Sequence, residues 1–202
     1  MTGVTADALR ARLTAPWRHG EHADLRGVTC DGRLDLSGCD VAGFDLSGAS
    51  FPQGIDARGA RFLGLCWLGG ARFGGAADFA GAAFMNDARF EQAEFACAAD
   101  FSGAEFRGIG RFDGSTFAQG ADFANTVAYG NFSLQQVRMA GPASFRGSEW
   151  LGGLWCQAAA LPGDADLAET QVHGRLWLRG AHRGNAGLSA GDFGMSFGYT
   201  YF

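Results

Sequence analysis

The sequence predicts an all-β solenoid, a rod of stacked coils in which every turn repeats one short extended segment. Two observations predict it. Phenylalanine and leucine recur at spacings of five and six residues through most of the chain, and a small residue stands two positions before nearly every one of them. Glycine is abundant, 33 of 202 residues, yet 47% of the residues are apolar. Such glycines serve the corners of a packed body rather than a loose chain.

The repeat is plainest between Ala60 and Asn125, which reads ARFLGLCWLGG, ARFGGAADFAG, AAFMNDARFEQ, AEFACAADFSG, AEFRGIGRFDG, STFAQGADFAN. Each unit holds two copies of small-x-Phe, so the repeat is about 11 residues long. One series of centres runs Phe62, Phe73, Phe84, Phe95, Phe106, Phe117, and continues through Ala128, Met139, Trp150, Leu161 and Val172. The other runs Leu68, Phe79, Phe90, Phe101, Phe112, Phe123, and continues through Leu134, Phe145, Cys156, Leu167 and Leu178. Towards the N-terminus the frame reaches back through Ala57, Phe51, Leu46, Val41, Leu36, Cys30 and Leu25, mostly at a spacing of five.

Side chains alternate along an extended segment, so a centre and the small residue two positions before it both point inward. Ala71, Ala77, Ala82, Ala88, Ala93, Ala99 and Ala104 hold that small position. A ring and a methyl group together fill a narrow interior. Helical spacing of three and four is absent.

These motifs resemble the pentapeptide-repeat family, whose unit is a small residue, a polar residue, Leu or Phe, and two mostly polar residues. The Phe-rich variant with alternating five and six spacing is a branch of it. The resemblance implies a right-handed quadrilateral β-helix with four segments and about 22 residues per coil. About seven coils fit, a rod on the order of 35 Å long. The extra residue in each unit should bulge two of the four corners.

Stacking at that period places equivalent positions in columns. One face presents Asp78, Asp100, Asp122, Ser144 and Asp166. The opposite face presents Trp67, Arg89, Arg111, Ser133, Trp155 and Trp177. A third shows Leu63, Met85, Tyr129 and Leu151 just after the centres. The acidic column has two readings: carboxylates that hydrogen-bond the corner backbone, common in the family, or an anionic strip that imitates DNA phosphates. The resemblance raises the second, because quinolone-resistance members act as DNA mimics on gyrase. One column at about 4.8 Å is thin beside a phosphate every 1.7 Å of duplex. Tryptophan and arginine are enriched at interface hot spots, so the opposite face is a candidate partner face; packing of Arg on Trp between coils is the alternative.

The chain divides into residues 1–22, an N-terminal cap; 23–180, the β-helix; and 181–202, a Gly-rich spacer with an aromatic tail. Thr5 to Leu13 reads as a short amphipathic helix, N-capped by Thr5 and stopped by Pro16, with Ala8, Leu9 and Leu13 covering the first coil. The tail carries Phe193, Phe197, Tyr199, Tyr201 and Phe202 after a spacer, Gly184 to Ala190, that composition marks as flexible. Its rings either fold back on the last coil or serve a partner.

Net charge is −5, which argues against a basic nucleic-acid-binding surface. No apolar run of about 18 residues offers a membrane span. Five cysteines, odd in number and widely spaced, suit reduced thiols, so the expected location is cytoplasmic. Cys30 and Cys156 sit at centres and Cys39 and Cys66 at small inward positions, all core; Cys97 falls at a corner. His19 and His22 have a metal-like gap without a matching pair nearby, so neither metal nor cofactor is expected. No nucleophile or phosphate-loop motif occurs.

The sequence therefore predicts no enzyme. It predicts a repeat scaffold that recruits a protein partner and presents its C-terminal tail, with oligomeric state open. Two alternatives stand beside it. One is a precursor or substrate of a ribosomal natural-product pathway, whose tail a modifying enzyme alters. The other is a DNA-mimic resistance protein that binds gyrase.

Overall fold

The computed structural model describes residues 3–202. Its strands, mostly two residues long, lie in four sheets of nine, ten, six and eight strands. One coil shows the path. Cys66–Trp67 lies on what we call the tryptophan face, Arg72–Phe73 on a first side face, Ala77–Asp78 on the acidic face and Ala83–Phe84 on a second side face. Ala88–Arg89 then returns to the tryptophan face, parallel to and in register with Cys66–Trp67. The chain is a β-helix, as the repeat predicts.

Phenylalanine centres stack in ladders inside. Phe73, Phe95 and Phe117 follow at 4.8 and 4.5 Å between centroids, and Phe79, Phe101 and Phe123 at 4.9 and 5.0 Å, with planes within 4° of parallel. The alternation of strand side chains puts every one of these rings at no more than 1% exposure. In the ladder of Phe62, Phe84 and Phe106 the next centre is Ala128, with no ring to fill it. Phe132 enters from the small position instead, fully buried, 5.2 Å from Phe106 and 5.6 Å from Phe112. Gly110, one coil before it, is what makes room: a Cβ there would lie 2.7 Å from the Phe132 ring.

The two spacings make two kinds of corner. Where centres are five apart, a tight turn closes: the Ala82 N–H donates to the Phe79 carbonyl at 3.0 Å around Gly81, whose φ is +64°. Where they are six apart the corner bulges, and successive backbones nearly touch. A Cβ on Gly152 would lie 2.4 Å from the carbonyl carbon of Gly130.

The ends differ from the sequence expectation. The tryptophan face carries nine strands, so there are nine coils rather than about seven. Residues 181–202, set apart by composition as spacer and tail, are paired onto the rod. His182–Arg183 and Ala186–Gly187 form an antiparallel hairpin. Met195–Ser196 pairs with Gln171–Val172, and Thr200–Tyr201 with Leu176–Trp177. The repeat frame missed this because the last coil takes 24 residues instead of 22, as the pairing of Leu176 with Thr200 shows. At the other end, Gly3–Thr5 adds a strand beside Thr29–Asp31.

The N-terminal helix spans Ala6–Leu13, with Thr5 accepting from the Ala8 N–H at 3.3 Å. Leu9 and Leu13 are fully buried over the first coil, while Ala8 is exposed and covers nothing. The helix ends at Thr14, whose N–H and hydroxyl both donate to the Arg10 carbonyl.

Candidate protein-docking surface

On the acidic face the register adds Asp35 and Asp56 below Asp78, Asp100 and Asp122, with Ser144 and Asp166 above. Each carboxylate is used by its own corner. Asp78 accepts from the Ala80 N–H at 3.1 Å, Asp100 from Ser102 and Asp122 from Ala124 at 2.8 Å, Asp166 from Ala168 at 2.9 Å. These bonds hold the backbone as it leaves the strand, the local Asx geometry of turns. Arg58 pairs with Asp56 at 2.7 Å and reaches Asp78 at 3.5 Å. The Arg58 hydrogen bond holds the Asp56 carboxyl below its usual value, whereas burial pushes that of Asp78 up.

The tryptophan face orders Trp67, Arg89, Arg111, Ser133, Trp155, Trp177 and then Tyr201 in one ladder of register partners. Arg89 lies 5.6 Å over the Trp67 ring. Arg111 is held by Asp113 at 2.8 Å and Glu91 at 3.6 Å. Ser133 is small and buried between large neighbours. It leaves a depression of about 290 Å³ lined by Ile109, Arg111, Asn131, Ser133, Gln135 and Trp155. Among the described residues the indole N–H groups of Trp67 and Trp177, like that of the core Trp150, are enclosed with no acceptor.

The aromatic tail joins these columns. Tyr201 extends the tryptophan ladder. Phe197 stacks on His173 at 5.0 Å, in line with the column of Leu63, Met85, Tyr129 and Leu151. Phe193 is 7% exposed and packs edge-on to the buried Trp150 at 6.2 Å. Tyr199 and Phe202 stay outside, 80% and 74% exposed. The hydrophobic pattern of the last twelve residues held this information, but the changed spacing hid it.

Three cysteines are core as read: Cys30, Cys66 and Cys156, the last with its thiol pushed up to about 12 by burial. Cys39 is only partly buried, with the Arg10 guanidinium 3.6 Å from its sulfur. Cys97 is half-buried at its corner and donates to the Gly74 carbonyl at 3.2 Å. His19 packs edge-on to Trp17 at 5.9 Å, and His22 lies 6.3 Å from Trp67. Among the described residues no group of three or more metal-ligating side chains converges, and no helix is long and apolar enough to cross a membrane.

A family model of pentapeptide repeats, nine copies long, matches in four overlapping stretches, residues 36–83, 57–105, 79–127 and 101–149. No curated protein matches. Among solved structures, QnrB1, described as a plasmid-mediated fluoroquinolone resistance protein, aligns at 17% identity over 98% of this chain and 91% of that chain, with a TM-score of 0.25.

Proposed function

The chain belongs to the pentapeptide-repeat family, and from that premise we propose that it is a non-catalytic scaffold whose tryptophan face docks a protein partner. The observation that carries this reading is the single ladder from Trp67 to Tyr201. Tryptophan, tyrosine and arginine are the residue types that dominate interface hot spots. The acidic face carries no comparable argument, because its carboxylates are spent on their own corners. The N-terminal segment through His22 acts as the cap in this reading. The last coil presents Tyr199 and Phe202 at the C-terminal end of the same face, while Phe193 anchors it.

The test is site-specific photo-crosslinking in the native cell. A photo-reactive phenylalanine analogue at Gln157, beside Trp155 and Trp177, should give a discrete protein adduct. The same group at Ala124, on the opposite face, should not. Trp177→Ala should remove the adduct while the β-sheet spectrum stays, with only the modest fall in melting temperature that loss of the Tyr201 stack brings. Equal adducts from both faces, or none, would defeat the reading.

A further inference from the structure

We propose that the C-terminal half of the tryptophan face takes a short extended acidic segment of the partner, with an aromatic side chain seated on the glycine corner at Gly152 and Gly174 and carboxylates on Arg175 and Arg179. This rests on the docking reading above and names the chemistry of what docks.

The first support is charge. In the N-terminal half of this face arginines and carboxylates are matched: Arg26 with Asp24 and Asp45, Arg89 with Asp87, Arg111 with Asp113 and Glu91. From Asn131 onward the face has no acidic side chain. Arg175 and Arg179 stand there exposed, either side of Trp177, their guanidinium groups without a hydrogen bond or ion pair among the described residues. Eleven of the sixteen arginines lie within 4.0 Å of a carboxylate; Arg12, Arg18, Arg138, Arg175 and Arg179 do not. In a chain of net charge −5, two free arginines flanking an aromatic ladder form a local cationic patch. Arginine and a flat ring side by side suit a planar carboxylate and an apolar side chain together.

The second support is an occupant already present elsewhere on the same corner. The bulged corner before the tryptophan face carries Gly43 and Gly64, then Gly108, Gly130, Gly152, Gly174 and Gly198 at the same place in later coils. Trp17 lies on the first pair. A Cβ on Gly64 would meet its Nε1 at 3.0 Å, and that N–H donates to the Glu21 carbonyl at 2.8 Å. Gly43 and Gly64 are buried beneath it, whereas Gly152 and Gly174 are half-open, beside the exposed Leu151. Trp17 shows that this glycine corner can seat an aromatic ring, and Gly152 and Gly174 repeat the corner half-open to solvent. Gly174 adjoins Arg175, and Arg179 lies across the strand. A segment of about five residues, about 16 Å when extended, reaches from the seat to both cations.

A single-stranded nucleic acid also combines stacking with negative charge. Two arginines on an acidic protein neutralise too few phosphates for that class, whose affinity grows with each neutralised charge. A protein segment with a few carboxylates fits the patch.

The experiment uses the full chain and fluorescence anisotropy of a labelled peptide, acetyl-EEWEE-amide. It should bind about tenfold more tightly than the same peptide with Ala for Trp, or with Lys for Glu, a difference of about 1.4 kcal/mol. The double variant Arg175→Gln, Arg179→Gln should bring the acidic peptide down to the level of the lysine peptide with melting unchanged, while Arg138→Gln, a free arginine on a side face, changes nothing. Equal binding of the acidic and lysine peptides, no binding, or insensitivity to the double variant overturns the proposal. So does tighter binding of a 12-mer of oligo-dT that displaces the peptide. If the crosslink at Gln157 forms and depends on Trp177 while the acidic peptide fails, the docking face stands and this chemistry falls.

Discussion

Tyr201 stacks on Trp177, with ring centroids 4.6 Å apart and 29° between the planes. The pair joins the chain's last coil to the face that carries the other tryptophans. A feature that composition marks as a separate tail is therefore the C-terminal extension of a β-helical ladder. The backbone confirms the link: the Leu176 and Leu178 N–H groups donate to the carbonyls of Tyr199 and Tyr201 at 2.9 and 2.8 Å.

The first prediction separates anchoring from presentation in this end. Phe193 packs on Trp150 and, with Leu161 and Leu167, lines a small gap at the end of the core. Phe193→Ala should lower stability by about 3 kcal/mol. Tyr199→Ala and Phe202→Ala remove exposed rings and should each change it by less than about 0.5 kcal/mol. Denaturant titration of the three variants reads this directly. Equal effects would mean that the terminal residues share one structural role.

The second concerns the ladder. Phe101 stands between Phe79 and Phe123 and touches Phe90, Phe95 and Phe112 edge-on. Phe101→Ala should cost about 3–5 kcal/mol. Phe101→Leu keeps most of the volume and should cost clearly less. An alanine variant that melts with the parent would show that the interior closes over the loss.

Much of this fold was legible in the sequence because the repeat is self-scoring. Each centre predicts the next, and an inward position cannot slip by one residue without turning every ring outward. The same logic explains what stayed hidden. The exchange of Ala128 for Phe132 moves a ring from one inward position to another, so counting centres records only a loss. The last coil takes 24 residues, so the frame ends one coil early and Tyr201 goes unrecognised as the partner of Trp177. The columns of Trp67, Arg89, Arg111, Trp155 and Trp177 were readable from the period alone. Their meaning was not, because a period fixes which side chains are neighbours and says nothing of what docks on them.

A third prediction distinguishes two uses of glycine. Gly81 is needed for its φ of +64°, and a Cβ there meets open space. Gly81→Ala should cost about 1 kcal/mol of backbone strain. Gly152 is needed for close approach to Gly130. Gly152→Ala should separate two coils and lower the melting temperature far more. Melting curves of the pair test the ranking, and the reverse order would contradict the corner geometry.

The fourth concerns acid. The Arg26 hydrogen bond lowers the Asp24 carboxyl to about 2, and Arg58 lowers that of Asp56, from an ordinary value of 3.8. A depressed carboxyl contributes stability above its unfolded value and loses it as pH falls through the folded one. Asp78, half-buried, is raised by desolvation and acts in the opposite sense. With the depressed pair outweighing it, the melting temperature should fall between about pH 4 and pH 2. Asp56→Asn should flatten that slope. A slope unchanged in this variant would remove Asp56 from the account.

The last prediction sets the two opposite faces against each other. Asp100 and Asp122 each accept a backbone N–H of their own corner at 2.8 Å. If the acidic column is structural, Asp100→Ala and Asp122→Ala should each cost about 1 kcal/mol. Asparagine at the same places keeps an acceptor oxygen and should cost less. None of these changes should touch the crosslink at Gln157, which lies on the other side of the rod. Trp177→Ala should do the reverse, keeping the fold while removing the adduct. An acidic strip that imitates DNA behaves differently: replacing Asp78, Asp100 and Asp122 by asparagine would leave the fold and abolish inhibition of gyrase supercoiling. We expect the purified protein to show no such inhibition, since one column of corner-bound carboxylates at about 4.8 Å spacing is sparse beside duplex phosphates. Potent inhibition lost in the triple asparagine variant would move the working surface from the tryptophan face to the acidic one.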